Sequence, residues 1–156
     1  MMFVIYQCYG GTHSSVVAAN IHLYRLPTTR TPHLCEILKI PHFDRLESRE
    51  IGILSCIGID GHGNHVFSLG SGSRGNEVKQ IMKELLPLLG LHVKKIAIIN
   101  CLDQVNVLAR IGGFISRFLG LVFLGRPLVA LGIRLRYSAL VNKVQSFKEG
   151  RTDYII

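Results

Sequence analysis

The chain has 156 residues, of which 48% are hydrophobic and 18% are charged, so it can bury the core of one domain and is not a disordered chain. Its formal net charge of +8 favours anionic partners such as phosphates, nucleotides or acidic lipids, although a solvated basic face explains the charge equally well. The basic residues form no compact run and are not interleaved with aromatic residues, which argues against nucleic-acid binding.

The four cysteines form no CxxC pair, and each lies in or beside an apolar run. They are typical of reduced thiols in a cytoplasmic protein rather than of a disulfide framework or a zinc site. The longest apolar stretch, residues 111–133, contains Arg117 and Arg126 in its interior, which would be costly in lipid. We therefore expect a protein that does not span a membrane, and residues 1–8 lack the basic leader of a signal peptide.

The N-terminal part is predicted to contain a buried strand followed by a helix. Residues 2–9 are rich in β-branched and aromatic types and end at two glycines, which is typical of a buried strand. From Ser14 the dense apolar positions predict a helix that ends near Arg25, with Thr12 or Ser14 as its cap. A short helix is predicted after Pro32.

The middle of the chain is predicted to contain a β-hairpin and two further helices. Two apolar runs, 51–59 and 65–70, are separated by the turn sequence DGHGN, which favours a hairpin. A helix capped by Asn76 follows, then a strand over 95–102 and a helix capped by Asp103.

The C-terminal part is predicted to contain a last buried strand, LVALGI at 128–133, and a final amphipathic helix from Ser138. We expect the first, fourth and fifth strands to be central, because their runs are apolar on both faces. The predicted fold is a single α/β domain over residues 1–156. It is a three-layer sandwich with a mostly parallel central sheet, one antiparallel β-hairpin and helices on both faces.

The segment YGGTHSS, which joins the first strand to the first helix, is the candidate ligand site. Open α/β sheets bind ligands at the carboxyl ends of their strands. Glycines let backbone amides face a ligand, and the start of a helix adds N–H donors and a positive dipole end. We therefore predict that a small phosphate- or nucleotide-type anion binds here. The predicted ligand-binding residues are Gly10, Gly11, Thr12, His13, Ser14, Ser15 and, from a later glycine-rich loop, Arg74.

The predicted catalytic residues, should the site be enzymatic, are His13 and Ser14. His13 stands roughly where a Walker loop has its lysine, but a neutral imidazole carries no fixed charge, so the usual triphosphate hydrolysis is not expected. Phosphoryl or acyl transfer with His13 as the acid–base group fits better. Cys8 is an alternative nucleophile, although most strand cysteines are simply packed. A purely structural turn, with Thr12 and Ser14 as caps, explains the segment equally well.

Two further classes of function are open. His13, Asp60 and His62 could form the site of a metal-assisted hydrolase if their loops converge, although DGHGN is first of all a turn sequence. A non-catalytic protein would use its basic and apolar C-terminal half to dock on a partner or a membrane surface. The sequence specifies neither a cofactor nor an oligomeric state.

Five segments carry a family resemblance: YGGTHSSVVAANIHL, PHLCEIL, PHFD, GIDGHGN and GRPLVALGI. Through them the chain resembles an uncharacterised family of small proteins from spore-forming bacteria, known as a domain of unknown function. The resemblance covers nearly the whole chain, and the GGxHSS segment is its most specific part. It implies a bacterial cytoplasmic protein and no established activity, catalytic residue or cofactor. It also leads us to expect a glycine after IHL, where this chain has Tyr24.

Overall fold

One four-stranded mixed sheet stands at the centre of the computed structural model, which describes residues 1–44, 51–90, 95–104, 107–118 and 122–150. In spatial order the strands are β2-β3-β1-β4, and β1 pairs in parallel with both β3 and β4. β2 pairs antiparallel with β3 through the turn that contains DGHGN, so the predicted hairpin is confirmed. The strands are β1 (Phe3–Cys8), β2 (Leu54–Ile59), β3 (His65–Gly70) and β4 (Ile96–Asn100).

Helices cover both faces of this sheet, and the predicted three-layer α/β fold is confirmed. On β1, Val4 and Tyr6 belong to the core shared with α1, α2, α5 and α6, whereas Ile5 belongs to the smaller core beneath α3. This alternation follows from the period of two along a strand. The helices are α1 (Ser14–His22), α2 (Leu34–Leu38), α3 (Gly75–Leu88), α4 (Val107–Phe118), α5 (Val122–Leu135) and α6 (Tyr137–Lys148).

The predicted strand LVALGI is wrong, because residues 128–133 lie inside α5. Val129, Ala130 and Ile133 are buried there at helical spacing, while Leu131 is exposed. A short apolar run does not distinguish a buried strand from a helix, and here packing against neighbouring helices decides for the helix. β4 therefore lies at an edge of the sheet instead of near its middle.

The predicted helix caps are also wrong. α1 has His13 at its N-cap and makes no side-chain capping hydrogen bond, so neither Thr12 nor Ser14 caps it. Asn76 lies in the first turn of α3 rather than before it. Asp103 lies in a short 3-10 turn that precedes α4. Ser, Thr, Asp and Asn favour helix starts in general, but the neighbouring structure decides which residue stands at the cap.

Tyr24 occupies the position after α1 where the family resemblance suggests a glycine. Its φ of 55° lies in the left-handed region that glycine adopts most readily. The turn is closed by a hydrogen bond from the Arg25 N–H to the Asn20 carbonyl (2.9 Å). The Lys148 ammonium lies 3.8 Å from the centre of the Tyr24 ring and so holds the side chain over the end of α6.

The helical hairpin of α4 and α5 is packed closely at Gly112. A Cβ built on Gly112 would lie 2.6 Å from the Val129 amide nitrogen and 2.9 Å from the Gly125 carbonyl oxygen. Glycine at this position therefore lets the two helix backbones approach each other. Within the described residues, none of the helices has the length and apolar character needed to cross a bilayer.

Candidate functional site

The YGGTHSS segment forms the connection from β1 to α1, as predicted. β1 leads into α1 on one face of the sheet, whereas its neighbour β3 leads into α3 on the other face. Connections that diverge in this way open a crevice at the carboxyl ends of the two strands, which is where open α/β sheets bind ligands. The segment therefore lies at the expected edge of the sheet.

The two glycines of this segment pack against β3. Gly11 has a φ of +72°, and a Cβ on it would lie 2.6 Å from the Gly70 amide nitrogen. The two loops that follow the strands are also hydrogen-bonded, from Ser71 N–H to the Cys8 carbonyl (3.0 Å) and from Gly72 N–H to the Tyr9 carbonyl (2.9 Å). Close backbone packing thus requires glycine in this segment. This agrees with the alternative in which YGGTHSS is a purely structural turn.

The amide of Gly11 already has an acceptor within the protein. It donates to the Cys8 sulfur at 3.2 Å, and the same sulfur lies 3.1 Å from the Ser15 hydroxyl. Cys8 and Ser15 are both buried. These contacts fit a packed thiol, and they assign Gly11 and Ser15 to the interior of the turn rather than to its surface.

His13 pairs with Asp44, an interaction that the sequence analysis did not identify. The His13 Nε2 atom lies 2.7 Å from Asp44 Oδ1, and the side chains are 15% and 3% exposed, respectively. The Asp44 N–H also donates to the Thr12 carbonyl (3.1 Å), which ties the two segments together. The PHFD segment places Asp44 beside His42, and so short a pattern gives no indication of a partner 31 positions away.

The backbone that holds Asp44 is strained. His42 and Asp44 have φ values of 66° and 52°, in the left-handed region that residues with side chains rarely adopt. Between them Phe43 is buried and contacts the His13 ring edge-on, with ring centroids 5.8 Å apart. Strain of this kind persists only where surrounding contacts stabilise it, and it is common at functional sites.

The hydrogen bond to Asp44 determines which nitrogen of a neutral His13 is protonated. Nε2 carries the proton that Asp44 accepts, which leaves a lone pair on Nδ1. Nδ1 has no hydrogen-bond partner among the residues that the structure describes. Gly113 of α4 faces this edge of the ring, where a Cβ would lie 3.8 Å from Nδ1. His13 is therefore oriented by a carboxylate through Nε2 and keeps a basic lone pair on Nδ1.

Ser14 adds a second polar group at the start of α1, and its hydroxyl has no hydrogen-bond partner among the described residues. Its hydroxyl is buried, with the residue only 1% exposed, and it forms no hydrogen bond with the described part of the chain. The first intrahelical bond runs from the Val17 N–H to the His13 carbonyl, so the amides of Ser14 to Val16 precede it. A buried hydroxyl without a partner is unusual and indicates either a ligand or a local energetic cost.

Arg74 lies on the neighbouring loop, between β3 and α3. It is exposed and stands at the N-cap of α3, two residues after Gly72, whose amide binds the Tyr9 carbonyl. The structure therefore brings the loop that carries Arg74 next to the YGGTHSS turn.

The alternative metal-binding residues are not brought together. His13 stands at the start of α1, whereas Asp60 pairs with His22 at its end, roughly 12 Å away along the helix axis. His62 is exposed in the β2–β3 turn beside Asp60. Across the described residues, no group of three or more His, Cys, Asp or Glu side chains is arranged to hold a metal ion.

A buried polar network lies at the end of α1, and the sequence alone did not indicate it. The Tyr6 hydroxyl lies 2.8 Å from His22 Nδ1, and His22 Nε2 lies 3.0 Å from Asp60 Oδ2. Burial lowers the pKa of His22, so the ring is neutral, donates to Asp60 and accepts from Tyr6. Burial acts to raise the pKa of Asp60, but hydrogen bonds from His22, Asn64 and His62 outweigh it and hold this pKa well below its ordinary value. Each polar group named in this network has a hydrogen-bond partner within it. We therefore interpret the network as one that stabilises the fold.

The free energy of unfolding is expected to fall as the pH decreases from about 7.5 to about 5.5, in a step that depends on His22. Unfolded His22 takes up a proton near its ordinary pKa of 6.5, whereas the buried ring resists protonation until lower pH. Acid therefore favours the unfolded state in this window. Urea unfolding at both pH values should show a smaller decrease for His22→Gln, while the exposed control His33→Gln should keep the full decrease. An equal decrease in all three proteins would contradict this role.

Comparison with known proteins places the chain in a family. A family model described as "Protein of unknown function (DUF3189)" matches residues 3–149, from β1 to the end of α6. Curated proteins gave no match, and solved structures gave none either. The resemblance to a family of unknown function is thus confirmed over nearly the whole chain, including His13, Ser14 and Asp44. On this match the protein belongs to the DUF3189 family.

Proposed function

We propose that this protein binds a phosphate- or nucleotide-type anion at the β1–α1 turn, with His13 as the central contact. The observation that supports this most strongly is the His13–Asp44 pair, in which the carboxylate orients the ring and leaves Nδ1 without a partner among the described residues. A protonated ring donates from Nδ1 to an anion oxygen, whereas a neutral ring accepts a proton there.

The other donors of the proposed site come from the start of α1 and from the adjacent loop. The buried Ser14 hydroxyl and the first amides of α1 would bind oxygen atoms at the positive end of the helix dipole. Arg74 would add a counter-charge from the start of α3. Four buried residues would form the turn and contribute less to direct ligand contact: Gly10, Gly11, Thr12 and Ser15.

The same pair supports acid–base chemistry on the bound ligand. A carboxylate that holds one ring nitrogen of a histidine leaves the other to take or give a proton, as a transferase or hydrolase acting on a phosphoryl or acyl group requires. Asp44 would be the positioning residue, and Ser14, which directly follows His13, would supply a hydroxyl. We assign no metal to this step, because His13 and Asp60 lie at opposite ends of α1.

Thermal unfolding in the presence of anions tests the binding proposal. Inorganic phosphate or nucleoside phosphates at constant ionic strength should raise the melting temperature, because a ligand at 100 times its Kd adds about 2.7 kcal/mol to stability. His13→Ala should abolish this shift, and Asp44→Asn should reduce it. His62→Ala is the matched control, since His62 is exposed in the β2–β3 turn and also belongs to the alternative metal set.

Two results would count against the proposed site. A melting temperature that no phosphate compound changes up to millimolar concentration would exclude a useful affinity. A shift that persists in His13→Ala would move the binding site away from the β1–α1 turn. Loss of the shift in His62→Ala alone would instead favour the β2–β3 turn.

A further inference from the structure

The outer face of α5 is an apolar stripe exposed to solvent. Leu124, Leu131 and Leu135 are exposed at spacings of seven and four, which keeps them on one side of the helix. The opposite side, with Val129 and Ile133, is buried in the core. The helix thus has enough apolar surface on its inner side to be stable, and the outer stripe needs another explanation.

Exposed apolar residues also occur at the start of α5 and on α4. Phe123 is 88% exposed, and on α4 both Ile111 and Phe114 are about half exposed. Single exposed apolar residues are ordinary, but several of them on one helical hairpin indicate an interaction surface. We refer to Ile111, Phe114, Phe123, Leu124, Leu131 and Leu135 as the hairpin surface.

The charges of this hairpin all have one sign. Residues 107–135 contain four arginines, no lysine and no Asp or Glu, within a chain of net charge +8. Arg126 and Arg134 donate to the Leu38 and Pro32 carbonyls, which are neutral groups, and neither arginine forms an ion pair with a described residue. A second copy of the chain would offer this surface the same basic sequence, with no acidic residue between positions 107 and 135. An anionic surface gains from the same charges.

We propose that the hairpin surface binds anionic lipid bilayers, with α5 lying in the plane of the interface. A helix that combines an exposed apolar face with positive charges is typical of interfacial membrane binding. At about 1.5 Å per residue, the 14 residues of α5 offer roughly 21 Å of contact.

Vesicle sedimentation with the full-length protein tests this proposal. The protein should sediment with vesicles of phosphatidylglycerol and phosphatidylcholine, but not with phosphatidylcholine alone, and salt should weaken the binding. The double variant Phe123→Gln/Leu135→Gln should lower the affinity at least tenfold. The matched control is Leu88→Gln/Leu89→Gln, because these leucines are 83% and 63% exposed, close to the 88% and 64% of the test pair. They lie at the end of α3, on the other side of the sheet.

Any of the following outcomes would overturn the proposal of membrane binding. The absence of binding to anionic vesicles, or equal binding to neutral ones, would exclude an anionic membrane as the occupant. An equal loss in the control variant would show that the hairpin surface has no special role. If sedimentation equilibrium shows a dimer that the test pair abolishes, a second copy covers the surface. All variants should keep the wild-type melting temperature, since the substituted side chains are exposed.

Discussion

Gly11→Ala is expected to destabilise the fold by about 4 kcal/mol, a large part of the stability of a domain of this size. Two costs add at this position. The φ of +72° disfavours any residue with a Cβ, and the new Cβ would lie 2.6 Å from the Gly70 amide nitrogen and 3.0 Å from the Leu69 carbonyl carbon. Both contacts are with backbone, so relief requires a shift of β3 against β1. Urea unfolding monitored by circular dichroism would measure the change.

Gly63→Ala is the matched control for this prediction. Gly63 has a similar φ of +76°, but a Cβ there meets nothing within 4 Å. Its substitution should therefore cost only the backbone term, about 1 kcal/mol. Equal losses at the two positions would show that the contact between the β1–α1 turn and β3 is looser than the structure indicates. Such a result would also favour an open turn over a packed one.

Asp60→Ala is expected to lower the free energy of unfolding by about 3 kcal/mol at neutral pH. The carboxylate accepts hydrogen bonds from the His22 ring, the Asn64 side chain and the amides of His62 and Asn64. Its removal leaves the buried His22 N–H without an acceptor. The contribution is present above the ordinary carboxyl pKa of 3.8 and is lost as the pH falls below it, because the folded pKa is lowered.

Two further substitutions sharpen this measurement. Asp60→Asn keeps one oxygen acceptor and should recover part of the loss. Asp103→Ala removes a half-exposed carboxylate that pairs with Lys143, and it should cost under about 1 kcal/mol. Comparable losses for Asp60→Ala and Asp103→Ala in urea unfolding at pH 7 would contradict a stabilising role for the buried network.

Local patterns in the sequence correctly predicted the elements that are decided locally. The run before Gly10 is a strand, the segment from Ser14 is a helix, and DGHGN joins the two strands of the hairpin. The α/β class followed from the alternation of such segments. The expectation of a glycine at the position of Tyr24, where the backbone is left-handed, came instead from the family resemblance.

Where several elements compete for the same packing, these patterns failed. LVALGI is apolar enough for a buried strand, but burial of Val129 and Ile133 among neighbouring helices places it in α5. The caps of α1 and α3 were missed because the residues with capping propensity do not stand at the helix starts. Propensities of this kind are weak and are readily outweighed by tertiary contacts.

The partners of the polar side chains depended on the folded chain as a whole. His13 binds Asp44 across 31 positions, and His22 binds Asp60 across 38. In each case another histidine, His42 or His62, lies nearer to the aspartate in the sequence. Periodicity reports which face a residue occupies, because it reflects the repeat of one strand or helix. It carries no information on which loops meet after the layers stack, since that depends on the packing of the entire core. The chain's own pattern thus specifies strand, turn and helix around YGGTHSS, while the assembled layers decide that its glycines face β3 and that its histidine is held by Asp44.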